Sequence, residues 1–379
     1  MKSTKRYRAF FPVTDRYAFL NHAAVSASSL RVRAAVESFL DALVESGPVR
    51  YGEWMEGVAE ARRRFGRLIN AEPGEIAFTG NTSDGLSIVA EGLDWKPGDA
   101  VLVPMPDFPA NVYPWLNLER LGVEMRFYRK NLGRFGPAEL EEAFRPGVRL
   151  LAVSSVDYST GFRCDLEAVG EFCREKGILF CVDAIQSLGA FALDVRKCGI
   201  HFLAAGAHKW LLGLMGSGAL FISRDADEMV RPRRVGWRSV VDENNFETLS
   251  LSLKKDALRF ETGTGNVAGI LGLGAALGLL LEVGVDTVSE SILALNDRVL
   301  DGLRERSLEV VSPLEKKNRS GIVSFIPPGN PEELFDFFNR RNVCVSHRGR
   351  YIRLSPHFYN NAEDIDAFLD ALDAYRHAG

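Results

Sequence analysis

Two residues whose types suit covalent and acid–base chemistry stand 26 positions apart: Asp183, in Cys181-Val182-Asp183-Ala184-Ile185-Gln186, and Lys209, in Ala207-His208-Lys209-Trp210. Each follows an apolar run, Ile178–Val182 and Phe202–Ala204, that reads as a buried strand. The spacing is that of one β-to-β crossover, which puts both side chains at the carboxyl edge of neighbouring parallel strands, where open α/β sheets hold their ligands. A lysine and a carboxylate so placed suit pyridoxal phosphate (PLP). The amine forms a Schiff base with the aldehyde, and the carboxylate favours the protonated ring nitrogen, so that the ring withdraws electrons from a substrate Cα. Singly the two residues say less: an Asp at a strand end is commonly a cap, and a His-Lys pair is commonly solvated.

The elements that must position them are legible as an alternation of apolar runs and amphipathic stretches between residues 70 and 225, the pattern of βαβ units. Seven strands are expected, at Ile76–Phe78, Ala100–Val103, Val123–Phe127, Leu150–Ser154, Ile178–Val182, Phe202–Ala204 and Ala219–Ile222. Asp165–Lys176 repeats apolar residues at helical spacing and is stopped by Gly177. Arg231–Leu258 reads as an irregular connection, followed by helices at Thr287–Arg306, Pro331–Arg340 and Ala362–His377 and strand-like runs at Gly321–Ile326 and Val343–Ser346. The expected fold is α/β, a large domain with a mostly parallel seven-stranded sheet plus a smaller α+β C-terminal domain. Its expected divisions are an arm at 1–20 packing on the small domain, a large domain at 21–258, and an interface segment with the small domain at 259–379.

The 379 residues carry 46 basic against 50 acidic side chains, a formal charge of −4, which gives no general attraction to nucleic acid or anionic membrane. The N-terminus lacks the apolar core of a secretory signal, and Val267–Leu281 is too short to cross a bilayer and reads as a buried helix, so a cytoplasmic protein is expected. Five cysteines without a C-x-x-C pair and six histidines without ligand spacing predict neither a disulfide framework nor a metal site. The glycines of Gly213–Gly218 and Gly263–Gly269 do not follow dinucleotide order, and no G-x-x-x-x-G-K-[ST] loop exists.

The stretches Val182-Asp183-Ala184-Ile185-Gln186-Ser187-Leu188-Gly189 and Ala207-His208-Lys209-Trp210-Leu211 resemble the class V aminotransferase family of fold-type I PLP enzymes, which includes cysteine desulfurases, isopenicillin N epimerase and kynureninase. The similarity runs from Phe19-Leu20-Asn21-His22-Ala23-Ala24 to Tyr359-Asn360-Asn361-Ala362. It implies that Lys209 is the Schiff-base lysine, that Asp183 partners the pyridine nitrogen, that Gln186 bonds the ring hydroxyl and that His208 approaches the phosphate. Thr82 and Ser83, in Gly80-Asn81-Thr82-Ser83-Asp84-Gly85, correspond to the phosphate turn at a helix N-terminus. Phe108 corresponds to the ring that stacks on the cofactor, with a core aromatic as the plainer alternative. Thr264, in Glu261-Thr262-Gly263-Thr264, corresponds to a residue that reaches the phosphate of a neighbouring subunit, which implies a homodimer with a shared site. Arg353, in Tyr351-Ile352-Arg353-Leu354, corresponds to the arginine that grips the substrate α-carboxylate.

Two departures bear on the reaction. Gly206 stands where desulfurases have a phosphate-binding serine. The segment Ser346-His347-Arg348-Gly349-Arg350-Tyr351 has no cysteine where they carry a sulfur acceptor, and Cys344 sits in a strand-like run and is expected to be buried. The resemblance therefore implies chemistry at Cα of an amino acid, with transamination ranked first, epimerisation or β-elimination from a cysteine-type substrate second, and desulfurase activity third. A non-catalytic relative that only binds is the alternative of another class.

Overall fold

The structure, a computed structural model, describes residues 5–378. A short strand β1 (Ala18–Phe19) and two helices, α1 (Leu30–Ser46) and α2 (Tyr51–Ile69), precede the central sheet. Its strands are β2 (Ile76–Thr79), β3 (Ala100–Met105), β4 (Glu124–Arg129), β5 (Val148–Ser154), β6 (Leu179–Asp183), β7 (Phe202–Gly206) and β8 (Gly218–Ile222). Between them lie α3 (Thr82–Gly92), α4 (Tyr113–Leu116), α5 (Pro137–Ala143) and α6 (Leu166–Lys176). The strand order is β2-β8-β7-β6-β5-β3-β4, with β8 antiparallel to both neighbours and every other pair parallel. Strands covered on both faces read as continuous apolar runs, and β6, β7 and β8 are buried at every position. Edge strand β4 is nowhere fully buried. All seven expected strands are present, their ends shifted by a residue or two. Helix α6 begins where Asp165 accepts from the Ala168 N–H and ends at Gly177, whose φ is +64°.

Helix α7 (Val267–Val283) packs on α1 and α2 and has ten buried residues, so its apolar surface is core. No single helix among the described residues is long and apolar enough to cross a membrane. Helix α8 (Val285–Glu305) passes from one apolar core to another. Val288 and Ile292 belong to the core of α2, α7 and the sheet, whereas Leu295, Val299, Leu300 and Leu303 belong to a second core. That second core includes residues of β9 (Val323–Phe325), α9 (Pro331–Arg340), β10 (Val343–Cys344), β12 (Tyr351–Leu354) and α10 (Ala362–Ala378), the strand β11 (Ser346–Arg348) lying between β10 and β12 in the chain. The apolar cores thus divide within α8, because α7, apolar all round, packs chiefly on α1 and α2.

The run expected as one strand at Val343–Ser346 is shared between two sheets. Val343–Cys344 pairs with β1, while Ser346 begins the three-stranded sheet β11-β12-β9. The arm, whose residues 1–4 lie outside the described residues, reaches the C-terminal segment: Arg8 pairs with Asp364 at 2.7 Å, and Phe11 stacks on Tyr359 with centroids 3.6 Å apart.

Candidate active site

Asp183 is the last residue of β6, flanked in register by Ser154 of β5 and Ala204 of β7. It is buried, and its Oδ1 accepts from the Ile185 N–H at 3.0 Å. Burial pushes its pKa up, the charge of Asp107 adds to this, and Ile185 N–H and Lys209 oppose. Lys209 lies in the turn after β7, held from outside by Ser26, whose N–H donates to the His208 carbonyl at 2.8 Å and whose hydroxyl donates to the Lys209 carbonyl at 2.6 Å. The lysine is buried, and burial lowers its pKa, Asp183 acting against the shift and Arg353 and Arg348 with it. The amine and the carboxylate therefore lie in each other's field, yet no ion pair joins them among the described residues. Gly189, at φ +98°, closes the neighbouring turn, and a Cβ there would stand 2.3 Å from the Trp210 carbonyl oxygen. Only glycine lets the two turns dock.

Phe108 follows β3 and is 43% exposed, so it is no core aromatic. The Lys209 Nζ lies 5.5 Å from its ring centroid, and the Tyr158 ring meets it edge-on at 5.3 Å. The residue before it, Asp107, is not among the site residues expected from the sequence. It is buried, accepting from the Phe108 N–H at 2.7 Å, the Ser154 hydroxyl at 2.8 Å and the Asn111 amide at 3.1 Å. The signal for it was present, since an Asp four residues before an Asn in a short polar connection is a local hydrogen-bonding pattern.

At the other end, Thr82 opens α3 and is buried, its Oγ1 accepting from the Gly206 N–H at 2.8 Å. The Thr82 hydroxyl proton is left for another acceptor. Asn81, not Thr82 or Ser83, is the cap, accepting from the Asp84 N–H at 2.9 Å, and Ser83 is exposed. Gly85 lets α3 lie against β7, where a Cβ would come within 2.9 Å of Ala204 Cβ. The half-buried ring of His208 lies over Gly206, 3.2 Å from where a Cβ would stand, so His208, Gly206 and Thr82 meet at one helix N-terminus. A Cβ at Gly206 would need the His208 ring and the Ile185 side chain to give by a few tenths of an ångström. Gln186 is buried with partners at both ends: its Nε2 donates to the Ala23 carbonyl at 3.0 Å and its Oε1 accepts from Trp210 Nε1 at 2.9 Å. The ring-hydroxyl bond expected of it must share that Nε2 group. Thr264 is exposed and borders a cleft with Thr79, Gly80, Asp84 and Arg234 that Lys209, Asp183 and Arg353 do not line. One chain alone does not bring Thr264 to the lysine.

Arg353, in β12, is 1% exposed. Its Nη1 donates to the Tyr158 carbonyl at 2.6 Å and its Nη2 to the Ser346 hydroxyl at 3.4 Å, while Nε has no partner. Among the described residues no carboxylate pairs with it. Burial lowers its pKa to about 9, with Arg348 adding to the shift. The Tyr158 carbonyl is itself held by a turn built on Asp157. That carboxylate forms a buried ion pair with Lys130 at 3.0 Å and accepts from the N–H and hydroxyl groups of Ser159 and Thr160. Burial pushes Asp157 up, but Lys130 and these donors hold it below the usual range. Neither Lys130 nor Asp157 carried a sequence signal.

Behind Lys209, buried His22 bonds the Ser355 carbonyl through Nδ1 at 2.7 Å and the Tyr359 hydroxyl through Nε2 at 2.6 Å. A carbonyl only accepts, so Nδ1 carries the proton and Nε2 receives one from Tyr359. Burial lowers the His22 pKa to about 4. Cys344 is half-buried, not buried, and burial pushes its thiol up. The residues expected to hold PLP fit that group on three observations: an amine and a carboxylate near each other without pairing, a free hydroxyl proton at a helix N-terminus, and a buried guanidinium without a counter-charge.

A model of the aminotransferase class-V family matches residues 18–368. Among curated proteins, a probable cysteine desulfurase of Pyrococcus abyssi (strain GE5 / Orsay) is 29% identical, the match covering 98% of each chain. Among solved structures, the apo cysteine desulfurase of Thermococcus onnurineus NA1 superposes with a TM-score of 0.90 at 26% identity, covering 98% of each chain. The cystine C–S lyase C-DES, in complex with its reaction product cysteine persulfide, superposes with a TM-score of 0.90 at 24% identity over 96% of this chain and 98% of its own. That last likeness is one of fold.

Proposed function

Because the chain belongs to the class-V aminotransferase family and has the fold-type I architecture of PLP-dependent enzymes, we propose that it breaks the Cβ–S bond of a sulfur-bearing amino acid and releases the sulfur without passing it to a protein thiol. The observation that carries the reading is Arg353, a buried guanidinium with no carboxylate of its own, whose charge reaches Lys209. A planar fork so placed receives an α-carboxylate through parallel hydrogen bonds. The names of the relatives move C–S cleavage ahead of the transamination that the sequence ranked first. The position of the cysteines supports release over transfer: the turn of the β11–β12 hairpin, Gly349-Arg350, has no thiol, and Cys344 is held in β10 with a raised pKa.

When bound, PLP supplies the electron sink for the pair left on Cα. The chain's own residues divide the remaining work. Arg353 orients the amino acid, and Lys209, its pKa lowered by burial, takes the Cα proton near neutral pH. Asp183 favours the protonated pyridine nitrogen, and Phe108 presents an open aromatic face above the lysine. Thr82, Ser83 and His208 bind phosphate at the α3 N-terminus. With the Cα proton and the Cβ sulfur gone, the remaining three-carbon enamine, once released, is hydrolysed by water to pyruvate and ammonia. A homodimer in which Thr264 reaches the partner's phosphate site belongs to the same reading and is supported by the exposure of Thr264 on its cleft.

The test is the holoenzyme incubated with cysteine and with cystine. Pyruvate should appear in step with released sulfide or persulfide, and Lys209→Ala should lose both turnover and the visible cofactor band. Alanine formed together with a persulfide on the protein overturns the release of sulfur. A new amino acid formed from added keto acid restores transamination.

A further inference from the structure

The β11–β12 hairpin carries a second arginine that the proposed reaction leaves unused. Its register sets Ser346 opposite Arg353 and Arg348 opposite Tyr351. Side chains alternate along each strand and paired residues share a face, so Ser346, Arg348, Tyr351 and Arg353 lie on one side and His347 and Ile352 on the other. The Arg353 Nη2 bond to the Ser346 hydroxyl, at 3.4 Å, agrees with that placement. Arg348 is half-buried, its Nη1 donates to the His347 carbonyl at 2.9 Å, and among the described residues no Asp or Glu oxygen lies within 4.0 Å of it. Its charge is felt by both Arg353 and Lys209.

Nearby carboxylates do not meet this need. Asp157 is committed to Lys130 and the 159–160 turn, Asp107 to Phe108, Asn111 and Ser154, and Asp183 to the end of β6. An α-carboxylate compensates Arg353 and leaves the Arg348 charge over.

On the C–S lyase reading, we propose that Arg348 is a specificity residue that receives a second carboxylate at the far end of the substrate, so that the favoured amino acid is dicarboxylic: the disulfide cystine rather than cysteine. Two guanidinium groups on one face then hold the two ends of the molecule, with the scissile Cβ–S bond between them.

Three disulfides separate the contributions: cystine, the mixed disulfide of cysteine with 3-mercaptopropionate (a distal carboxylate without an amine), and that with cysteamine (a distal amine without a carboxylate). One charge-assisted contact corresponds to about a 10- to 100-fold difference in binding, so kcat/KM should favour the two carboxylate-bearing disulfides over the cysteamine one by about that factor. Arg348→Gln should collapse the ratio toward one, and Arg348→Lys should restore part of it. Any effect of the lost charge on Lys209 is common to all three and cancels in the ratio. Discrimination that persists in Arg348→Gln, or its absence in the wild type, overturns the assignment. If no C–S bond is broken in any disulfide, the lyase reading has failed. The Kd values of the same three ligands, read from the shift of the visible cofactor band in wild type and Arg348→Gln, then still decide for or against Arg348.

Discussion

Arg353→Met should make the protein more stable and disable it. In the native chain the guanidinium is 1% exposed and has two acceptors but no counter-charge. Burial lowers its pKa from the ordinary arginine range to about 9, so holding the charge in the fold costs on the order of 5 kcal/mol. Methionine fills much of the same length without a charge. Against the relief stands the Tyr158 carbonyl, which loses its donor at a cost of about 1–3 kcal/mol. The net expectation is a gain of about 2–4 kcal/mol, measured as a higher urea midpoint at an unchanged slope, on cofactor-free protein at pH 7.5 and equal concentration. The substrate carboxylate meanwhile loses two charge-assisted bonds, at about 1.5–3 kcal/mol each, so kcat/KM should fall by about 10²- to 10⁴-fold. A variant less stable than wild type at the same slope would show that Arg353 is a structural cation with a partner in the fold. A kcat/KM within tenfold of wild type would remove it from substrate binding.

Cys344→Ser should leave C–S cleavage within about twofold, since the group is half-buried in a strand, its thiol disfavoured as thiolate; a trapped persulfide on Cys344, with activity lost in the variant, contradicts this. His22, lowered from 6.5 to about 4 by burial, binds a proton in the unfolded chain before it does in the native one. Its contribution is therefore intact above pH 6.5 and is lost as pH falls toward 4, about 1.4 kcal/mol for each unit of pH. In His22→Gln the slope of stability against pH between 6 and 4.5 should be shallower by one proton, and equal slopes in urea titrations would refute it. Mixing Lys209→Ala with an inactivating Thr264 variant should restore activity in part of the heterodimers, because a two-fold assembly leaves one of its two sites wholly wild type; confirmed subunit exchange without recovered activity puts the site within one chain.

The central sheet was legible because its physics is local. A strand covered on both faces has no polar side to interrupt it, and Ile178–Val182 and Phe202–Ala204 announce themselves as short apolar runs with chemistry at their ends. The C-terminal sheet was not legible in the same way. Tyr351-Ile352-Arg353-Leu354 is a strand in which an arginine sits at a fully buried position, and any reading that expects long charged side chains in solvent places that segment in a loop. Val343–Ser346 reads as one strand because residue propensity says nothing about partners. Its first half bonds to Ala18–Phe19, from the start of the chain, and Ser346 to Arg353. The irregular Arg231–Leu258 looks like a linker in the sequence, whereas the all-round apolar α7 beyond it returns to α1 and α2 to be covered, a packing that residue pattern alone does not reveal.

What separates the supporting charges from the working ones is whether the fold completes them. Six basic side chains are buried among the described residues: Arg62, Lys130, Lys209, Arg259, Arg319 and Arg353. Four have a carboxylate within reach, Arg62 with Glu261 at 2.7 Å, Lys130 with Asp157 at 3.0 Å, Arg259 with Asp227 at 2.6 Å and Arg319 with Asp297 at 2.6 Å. Removing one partner of such a pair strands a buried charge, so these pairs are fixed points of the structure. Lys209 and Arg353 alone among the six have no such partner, and they come from opposite cores of the chain to lie in one field. A protein that neutralised them internally would be more stable and would bind nothing there. On the proposed reading the α-carboxylate of a bound amino acid supplies the negative charge that Arg353 lacks and the cofactor aldehyde engages Lys209, which sets these two positions apart from the better-bonded four.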